Sequence, residues 1–387
     1  MHSVASAGKL PDDAGSVGLR RASLAGLKVL HVCETAKGGI ATYFNVLSSI
    51  GKQDRIRNVF VTPSRHTEYL DDDLDKVTYT APDRGILPTF RLIWSTIRAS
   101  RSLRPDIVFA HSTFTLPVLA ALRTIGLKSK IIYCSHGWAA QQYEPGTFRH
   151  RVATMVERHL PSLADSIICI SSSEQDFARD NGYKGNFVVI DNCVMDAKDA
   201  ARDDAFGSED DPRIHLLFVG RFDRQKGIDL LQEAFVDILK ERQDIVLHLV
   251  GGAVVNGAEE DGVLPESANV VRHGWVANSD IDSYFRSADA IIVPSRWEAF
   301  GLVVAEAFRN GTPALVSDRG APPSFIEEGQ TGHVFHLSAA SIRDTLSGLK
   351  KKDLRAMRKN ARQAFEDRHT VARFREKIDN LYLALVG

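Results

Sequence analysis

The sequence predicts an α/β protein of two doubly wound, Rossmann-like domains that face each other across a cleft. Three observations carry this. Short β-rich runs alternate with helical patterns between 27 and 195, which implies a parallel sheet covered by helices. An acidic stretch with almost no large apolar residues follows at 196–213, and it ends in Asp-Asp-Pro. The same alternation then restarts at 214 and runs to 369. A chain of 387 residues is long for one core, so two domains are also the expectation from size.

Residues 1–26 are rich in Ala, Gly, Ser and Asp and lack the apolar centre of a signal peptide, so they are expected to form a disordered leader. Order is expected from Leu27-Lys28-Val29-Leu30-His31-Val32, a strand followed by Gly38-Gly39 and a helical pattern from Ile40 to Ile50. Strand, glycine turn and helix open a Rossmann-type unit. Further strands are expected at Asn58–Val61, Asp106–Ala110, Lys130–Cys134, Ser166–Ile170 and Phe187–Ile190. After the linker, His215–Val219 is a strand closed by Gly220, Ile228–Lys240 a helix, and Ile245–Val250 a strand closed by Gly251-Gly252. Strands follow at Val270–His273, Ala290–Pro294 and Ala314–Ser317. The stretch 370–387 has apolar residues at helical spacing (Val371, Phe374, Ile378, Leu381, Leu385) and is a helix that must pack on something.

Composition excludes several classes. The chain is 44% apolar and 25% charged with a net charge of −1, which is ordinary for a globular protein and gives no case for nucleic acid. Residues 84–160 hold eleven Lys or Arg against three Asp or Glu, so a basic N-terminal half stands against an acidic remainder. Such a half suits an anionic lipid surface or substrate, or is a solvated face. The four cysteines, Cys33, Cys134, Cys169 and Cys193, are far apart and form no Cys-x-x-Cys, which points to buried thiols in a reducing compartment, hence the cytoplasm. No run of 18 apolar residues is present.

Chemistry concentrates on the turns that follow strands, since ligands of open α/β sheets bind outside the carboxyl ends. In Ser295-Arg296-Trp297-Glu298-Ala299-Phe300-Gly301-Leu302-Val303-Val304-Ala305-Glu306, one carboxylate sits at a strand-to-helix turn and a second lies eight residues on, inside a helix from Leu302 to Arg309. That spacing is up to roughly 12 Å, enough to span a sugar–diphosphate–ribose. The helix N-terminus between them suits a phosphate. Gly220-Arg221-Phe222-Asp223-Arg224-Gln225-Lys226-Gly227 places two cations, Arg221 and Lys226, on another strand-to-helix loop of the same domain. Asp280-Ile281-Asp282 matches a metal-binding Asp-x-Asp, but it opens a helix after Asn278-Ser279, and capping explains it. Asp71-Asp72-Asp73 reads as a solvated helix start or loop. No metal site is expected.

The pattern G-R-x-x-x-x-K-G, followed some 70 residues later by P-S-x-x-E-x-F-G-x-x-x-x-E, resembles the family 4 retaining glycosyltransferases of the GT-B fold, of the bacterial surface-polysaccharide type. The resemblance runs from about Lys28 to the end of the sequence. Gly38-Gly39-Ile40, His111-Ser112, Ser135-His136-Gly137 and Ile170-Ser171 fit it as well. It implies that Arg221 and Lys226 hold the diphosphate of a nucleotide-sugar, that Glu298 contacts sugar hydroxyls and that Glu306 contacts the ribose. It implies backbone N–H contacts to phosphate around Phe300, Gly301 and Leu302. Gly38 and Gly39 would admit the backbone to the β-phosphate. His136 falls at the family's cleft histidine, which meets the transferred sugar, and His111 is a weaker candidate on the acceptor side. Arg272–Val276 would lie by the nucleobase, so Val276 is taken as a binding residue. The resemblance also implies a C-terminal helix that returns to the N-terminal domain.

One departure stands out: Asn192-Cys193-Val194-Met195 replaces the family's usual Asn-Gly-Val-Asp, so Asn192 is given no role.

The implied partners are a nucleotide-sugar donor, UDP-linked before GDP-mannose, and a glycan or polyprenyl-diphosphate-linked glycan acceptor. No resident cofactor is expected. Helix 88–104 carries Phe90, Leu92, Ile93, Trp94 and Ile97 with Arg91, Arg98, Arg101 and Arg104. It either rests on an anionic membrane surface at the cytoplasmic face or packs ordinary core. The rival activities are a nucleotide-sugar epimerase or hydrolase, a non-catalytic nucleotide-sugar binder, and a dinucleotide oxidoreductase. Against the last, Gly38-Gly39 lacks a full G-x-G-x-x-G.

Overall fold

The computed structural model describes residues 23–81, 85–197, 204–207, 211–252, 264 and 266–387. The first domain contains β1 (Lys28–Cys33), α1 (Gly39–Asp54), β2 (Arg57–Pro63), β3 (Asp75–Tyr79), α2 (Ile86–Leu103), β4 (Ile107–His111) and α3 (Leu116–Thr124). It continues with β5 (Lys130–Cys134), α4 (Phe148–His159), β6 (Ser166–Cys169), α5 (Ser172–Asp180) and β7 (Phe187–Val189). The second contains β8 (Ile214–Val219), α6 (Ile228–Ile238), β9 (Ile245–Val250), β10 (Val270–Gly274), α7 (Ile281–Ser287), β11 (Ala290–Val293) and α8 (Leu302–Arg309). After these come β12 (Ala314–Ser317), β13 (Gly332–Phe335), α9 (Ala339–Gly348), α10 (Lys351–Arg368) and α11 (Val371–Val386).

The sheets are parallel throughout, ordered β3-β2-β1-β4-β5-β6-β7 and β10-β9-β8-β11-β12-β13. Both orders reverse beside their first strand, between β1 and β4 and between β8 and β11. Those reversals are where doubly wound sheets take ligands. The central strands are buried on both faces, which is why Ile107–His111 and Ile245–Val250 read as unbroken apolar runs with only a histidine in each. The strands β3 and β13 escaped the sequence reading. Each is short, partly exposed at a sheet edge and poor in large apolar residues.

One apolar cluster is continuous between the domains. It joins Phe44 and Ile50 of α1 to Phe300, Phe308 of α8, and Phe374 and Ile378 of α11. The chain crosses between domains near Val194 and again at His369, and the crossings touch: Val194 N–H donates to His369 O at 3.2 Å. The His369 ring stacks on Phe325 at 4.4 Å between centroids.

The helix α11 does return to the first domain. Phe374 meets Tyr43 edge-on at 5.3 Å, Arg375 pairs with buried Asp54, and Lys377 pairs with Asp191 at 2.7 Å. Thr370 caps α11 by accepting from Arg373 N–H.

Two boundaries differ from expectation. Residues 1–22 of the leader lie outside the described residues, but Leu24 is fully buried and Gly26 N–H donates to Arg55 O at 2.9 Å, so packing starts before residue 27. Within the linker, 198–203 and 208–210 lie outside the described residues. Phe206 is not free-standing linker, since it stacks on His248 at 3.7 Å. Asp71–Asp73 lie in a loop, with Asp73 paired to Lys52.

Candidate active site

Two loops of the second domain are locked together. Gly227 has φ +68°, and a Cβ there would lie 1.9 Å from Pro294 O, so only glycine lets the loop after β8 reach the end of β11. Arg296 N–H donates to Gln225 O at 2.8 Å, and Gln225 Nε2 to Trp297 O at 3.2 Å. This contact brings Lys226 Nζ onto Glu298 Oε1, a mostly buried ion pair, and Ser295 Oγ donates to the same oxygen at 3.0 Å. Arg221 is more exposed, with its guanidinium 2.9 Å from Gln225 Oε1 and 3.0 Å from Asp223.

Glu306 lies further along α8 and is partly buried. Its carboxyl is pushed up to about 7, first by burial, with Asp282 reinforcing the shift and Arg309 and Lys226 opposing it. It has no side-chain partner among the described residues. Lys226 is thus bonded to Glu298 and within electrostatic reach of Glu306.

The first domain closes on the same loop. A Cβ on Gly39 would lie 2.9 Å from Leu302 Cδ1, so the start of α1 abuts the start of α8. The helices α1, α6 and α8 have Gly38, Gly227 and Gly301 as N-caps, and none has a side-chain cap. The leading N–H groups of α1 and α8 thus keep donor capacity and a positive dipole end for an anion, while Asp229 takes up donors at the start of α6. A Cβ on Gly137, which has φ +108°, would lie 3.2 Å from Ala299 Cβ, and Ser171 Oγ donates to Ala299 O at 2.6 Å.

The structure brings together Gly38, Gly39, His136, Arg221, Lys226, Glu298, Gly301, Leu302 and Glu306 around these contacts. Phe300 joins them only through its backbone, because its ring packs on Phe325 at 5.1 Å and on His369 at 5.6 Å. Val276 packs its side chain on the inter-domain cluster, as Leu302 does. A pocket at the ends of β9 and β10 is lined by Phe222, Gly251, Glu266, Arg272 and Gly274. Residues 253–263, which follow Gly251-Gly252, lie outside the described residues. The capping account of Asp280 also needs correction. Its carboxylate accepts from Ser279 Oγ at 2.8 Å rather than capping α7, while Asp282 pairs with Arg309 and Asn310.

Two buried acids that the sequence reading missed hold the turn at His136. Glu174 accepts from Gly137 N–H at 2.7 Å, from Ile170 N–H at 2.6 Å and from Ser135 Oγ. Burial pushes it up to about 7 against those donors. Glu157 accepts from Thr113 Oγ1 at 2.6 Å and Ala139 N–H at 2.7 Å. A signal for Glu174 existed: Ser171-x-x-Glu174 has the sequence of a capping box, and Ser171 Oγ accepts from Glu174 N–H at 3.1 Å, although the Glu174 carboxylate turns to Ile170 N–H rather than to Ser171 N–H.

Each domain also contains a ladder of three histidines across adjacent strands, unforeseen in the sequence reading. In the first, Asn58 Oδ1 lies 3.1 Å from His31 Nε2, His31 Nδ1 lies 3.1 Å from His111 Nε2, and His111 Nδ1 lies 3.0 Å from His136 Nε2. In the second, Asp211 Oδ2 lies 3.2 Å from His215 Nε2, His215 Nδ1 lies 2.9 Å from His248 Nε2, and His248 Nδ1 lies 3.0 Å from His273 Nε2. Burial pushes His31 down to about 4 and His136 and His248 down to about 3.

Sequence comparison matches residues 37–198 to the family described as Glycosyltransferase Family 4 and residues 199–364 to the one described as Glycosyl transferases group 1. The chain is a family 4 glycosyltransferase of the GT-B fold. This glycosyltransferase is 29% identical over 326 residues to a 41.2 kDa protein of the cps region of Klebsiella pneumoniae, covering 81% of this chain and 87% of the relative. It is 37% identical over 127 residues to D-inositol 3-phosphate glycosyltransferase of Paenarthrobacter aurescens, covering 30% of each chain. Its fold matches that of Anabaena HepE, solved with UDP-glucose, at a TM-score of 0.74 and 18% identity over 92% of this chain and 100% of the other. Sucrose-phosphate synthase of Thermosynechococcus elongatus matches at 0.74 and 17% identity over 93% and 99%.

Proposed function

We propose that this glycosyltransferase moves a hexose, with retention of anomeric configuration, from a nucleoside-diphosphate sugar to a glycan or polyprenyl-diphosphate-linked glycan of a surface polysaccharide. The observation that carries the reading is the Lys226–Glu298 pair, held at the uncapped start of α8 and faced by the His136 turn of the other domain. A diphosphate beside Lys226 would meet that cation, the more exposed fork of Arg221 and the leading N–H groups of α1 and α8. Charge developing on the leaving phosphate is thereby met by groups already in place, and no metal enters the reading. Glu298 positions the sugar, Glu306 accepts from ribose hydroxyls, and the leaving phosphate oxygen takes the acceptor's proton. The HepE complex with UDP-glucose and the cps-region relative support a UDP-sugar donor and a polysaccharide product, with GDP-mannose as second donor.

The test is a thermal-shift screen of UDP, GDP and ADP with their sugars, followed by turnover of Glu298→Gln and Arg221→Ala. A donor at 100 times its dissociation constant stabilises by about 2.7 kcal/mol. Near wild-type transfer by both variants would sink the assignment.

The acceptor side bears on a membrane. No helix among the described residues is long and apolar enough to cross one. In α2, however, Ile86, Leu87, Phe90 and Trp94 are exposed, and Arg98, Arg101 and Arg104 are exposed on the same helix, while Leu92 is buried and Ile93 and Ile97 pack on the core. The expected apolar face thus divides, half to the core and half to the outside. We infer that the outer half rests on an anionic bilayer at the cytoplasmic face, where a lipid-linked acceptor would lie. Failure to float with anionic vesicles at low salt would count against it.

A further inference from the structure

The first histidine ladder has a direction that its atoms dictate. Asn58 places one amide atom 2.9 Å from Leu47 O, and a carbonyl oxygen can only accept, so that atom is Nδ2. A Cβ on Gly51 would lie 2.2 Å from it, so glycine leaves room for this amide. The other amide atom is therefore Oδ1, also an acceptor, and His31 must donate to it through Nε2–H. With its proton on Nε2, neutral His31 presents a lone pair at Nδ1, and His111 must donate into it through Nε2–H. By the same step His111 Nδ1 accepts from His136 Nε2–H. The rings cannot tilt out of this order easily, because His31 stacks on Phe60 at 4.6 Å and His111 on Phe109 at 4.1 Å.

The chain of donors thus ends on a lone pair at His136 Nδ1. That atom has no protein partner among the described residues, and it is not among the buried polar atoms sealed from solvent. His136 itself is held at φ +53°, an uncommon backbone for a residue with a side chain, by the Glu174 contacts to its two neighbours.

We propose that Asn58, His31 and His111 are positioning residues that lock His136 in its Nε2–H form, so that it meets the transferred sugar as a hydrogen-bond acceptor through Nδ1. The sugar contact rests on the nucleotide-sugar reading above. The lock does not. The far end of the ladder is an amide, which takes up no proton at ordinary pH, so the ladder is a lock on one tautomer and not a wire for protons. A sugar with a hydroxyl in reach of Nδ1 can donate to it, whereas a deoxy or methylated analogue leaves that lone pair without a donor.

The test has two parts. Long-range nitrogen–proton NMR of the histidine-labelled protein should show His31, His111 and His136 with a protonated Nε2 and a bare Nδ1, unchanged from pH 8 to pH 5.5. A proton on His136 Nδ1, or titration of these rings in that interval, overturns the lock. The second part is His31→Phe, which keeps the aromatic packing and removes the acceptor of His111. It should give His136 a mixture of tautomers and weaken UDP-glucose about tenfold while UDP alone binds as in wild type. An unchanged ratio of UDP-glucose to UDP affinity overturns the positioning role. Loss of both affinities together also overturns it, as general damage. If wild type binds no nucleotide-sugar in the screen, the acceptor role falls with the reading of the site, while the NMR spectrum still decides the lock.

Discussion

The two histidine ladders are built alike and end differently. Each takes one histidine from, or just beyond, each of three neighbouring strands, Nδ1 to Nε2 in the same sense, and each is buried enough to hold its imidazoles neutral. The first starts on an amide, Asn58, crosses the sheet where the strand order reverses between β1 and β4, and finishes at the cleft. The second starts on a carboxylate, Asp211, runs away from the reversal of its own sheet toward the edge strand β10, and finishes against Tyr284 and Phe206. The difference teaches that ladders of one build take different surroundings from their place in the sheet, the first ending beyond the reversal of strand order and the second against an edge strand.

The largest expected effect breaks the comparison at the tips. His136→Ala should lower kcat/KM about a hundredfold, because the sugar loses its positioning contact, while His273→Ala should change it by less than about threefold. Equal losses in steady-state assays would mean that both ladders serve the site.

The next effect exchanges the feet. Asn58→Asp gives the first ladder a carboxylate and removes the donor to Leu47 O, so it should cost about 2 kcal/mol at pH 7.5 by chemical denaturation. It should also let His31 take up a proton. In wild type the unfolded imidazoles bind protons below about 6.5, whereas native His31 does so only below about 4. The unfolded state then binds more protons across that window, and stability falls as pH falls through it. Raising His31 in the variant should flatten that slope.

Glu306 is a smaller lever with the opposite sign. As a carboxyl pushed up to about 7, it stays protonated in the native state where an unfolded glutamate, near 4.5, would have ionised. Its share of stability therefore falls as pH rises from about 4.5 to about 7. On the proposed role, in which ribose hydroxyls donate to the ionised form, nucleotide affinity should weaken by up to about tenfold per pH unit below 7, and Glu306→Gln should abolish that dependence in titration calorimetry.

The smallest effect sharpens the second ladder. Asp211 opposes the downward push of burial on His215, so Asp211→Asn should steepen the loss of stability as pH falls below about 6.5, by under about 1 kcal/mol.

Much of this was legible in the sequence, for a local reason. Strands buried on both faces read as apolar runs, and Lys226, Glu298 and Glu306 sit within short motifs on strand-to-helix turns. The ladders were illegible because their partners lie up to 80 positions apart, as His31 and His111 do, and only strand register aligns them. The sequence still held a trace, one histidine near each of three strands in both halves. Capping by Asp280 failed because its carboxylate turned to Ser279 instead of the helix.

The return of α11 has a consequence for how the protein is made. Asp54 is buried beneath Arg375, a partner 321 residues downstream. A domain emerging from the ribosome folds with what has already been synthesised. The first domain therefore waits with an unpaired carboxylate and the Tyr43 face of α1 uncovered while the entire second domain is translated. The half of the molecule that is made first is the half that is sealed last.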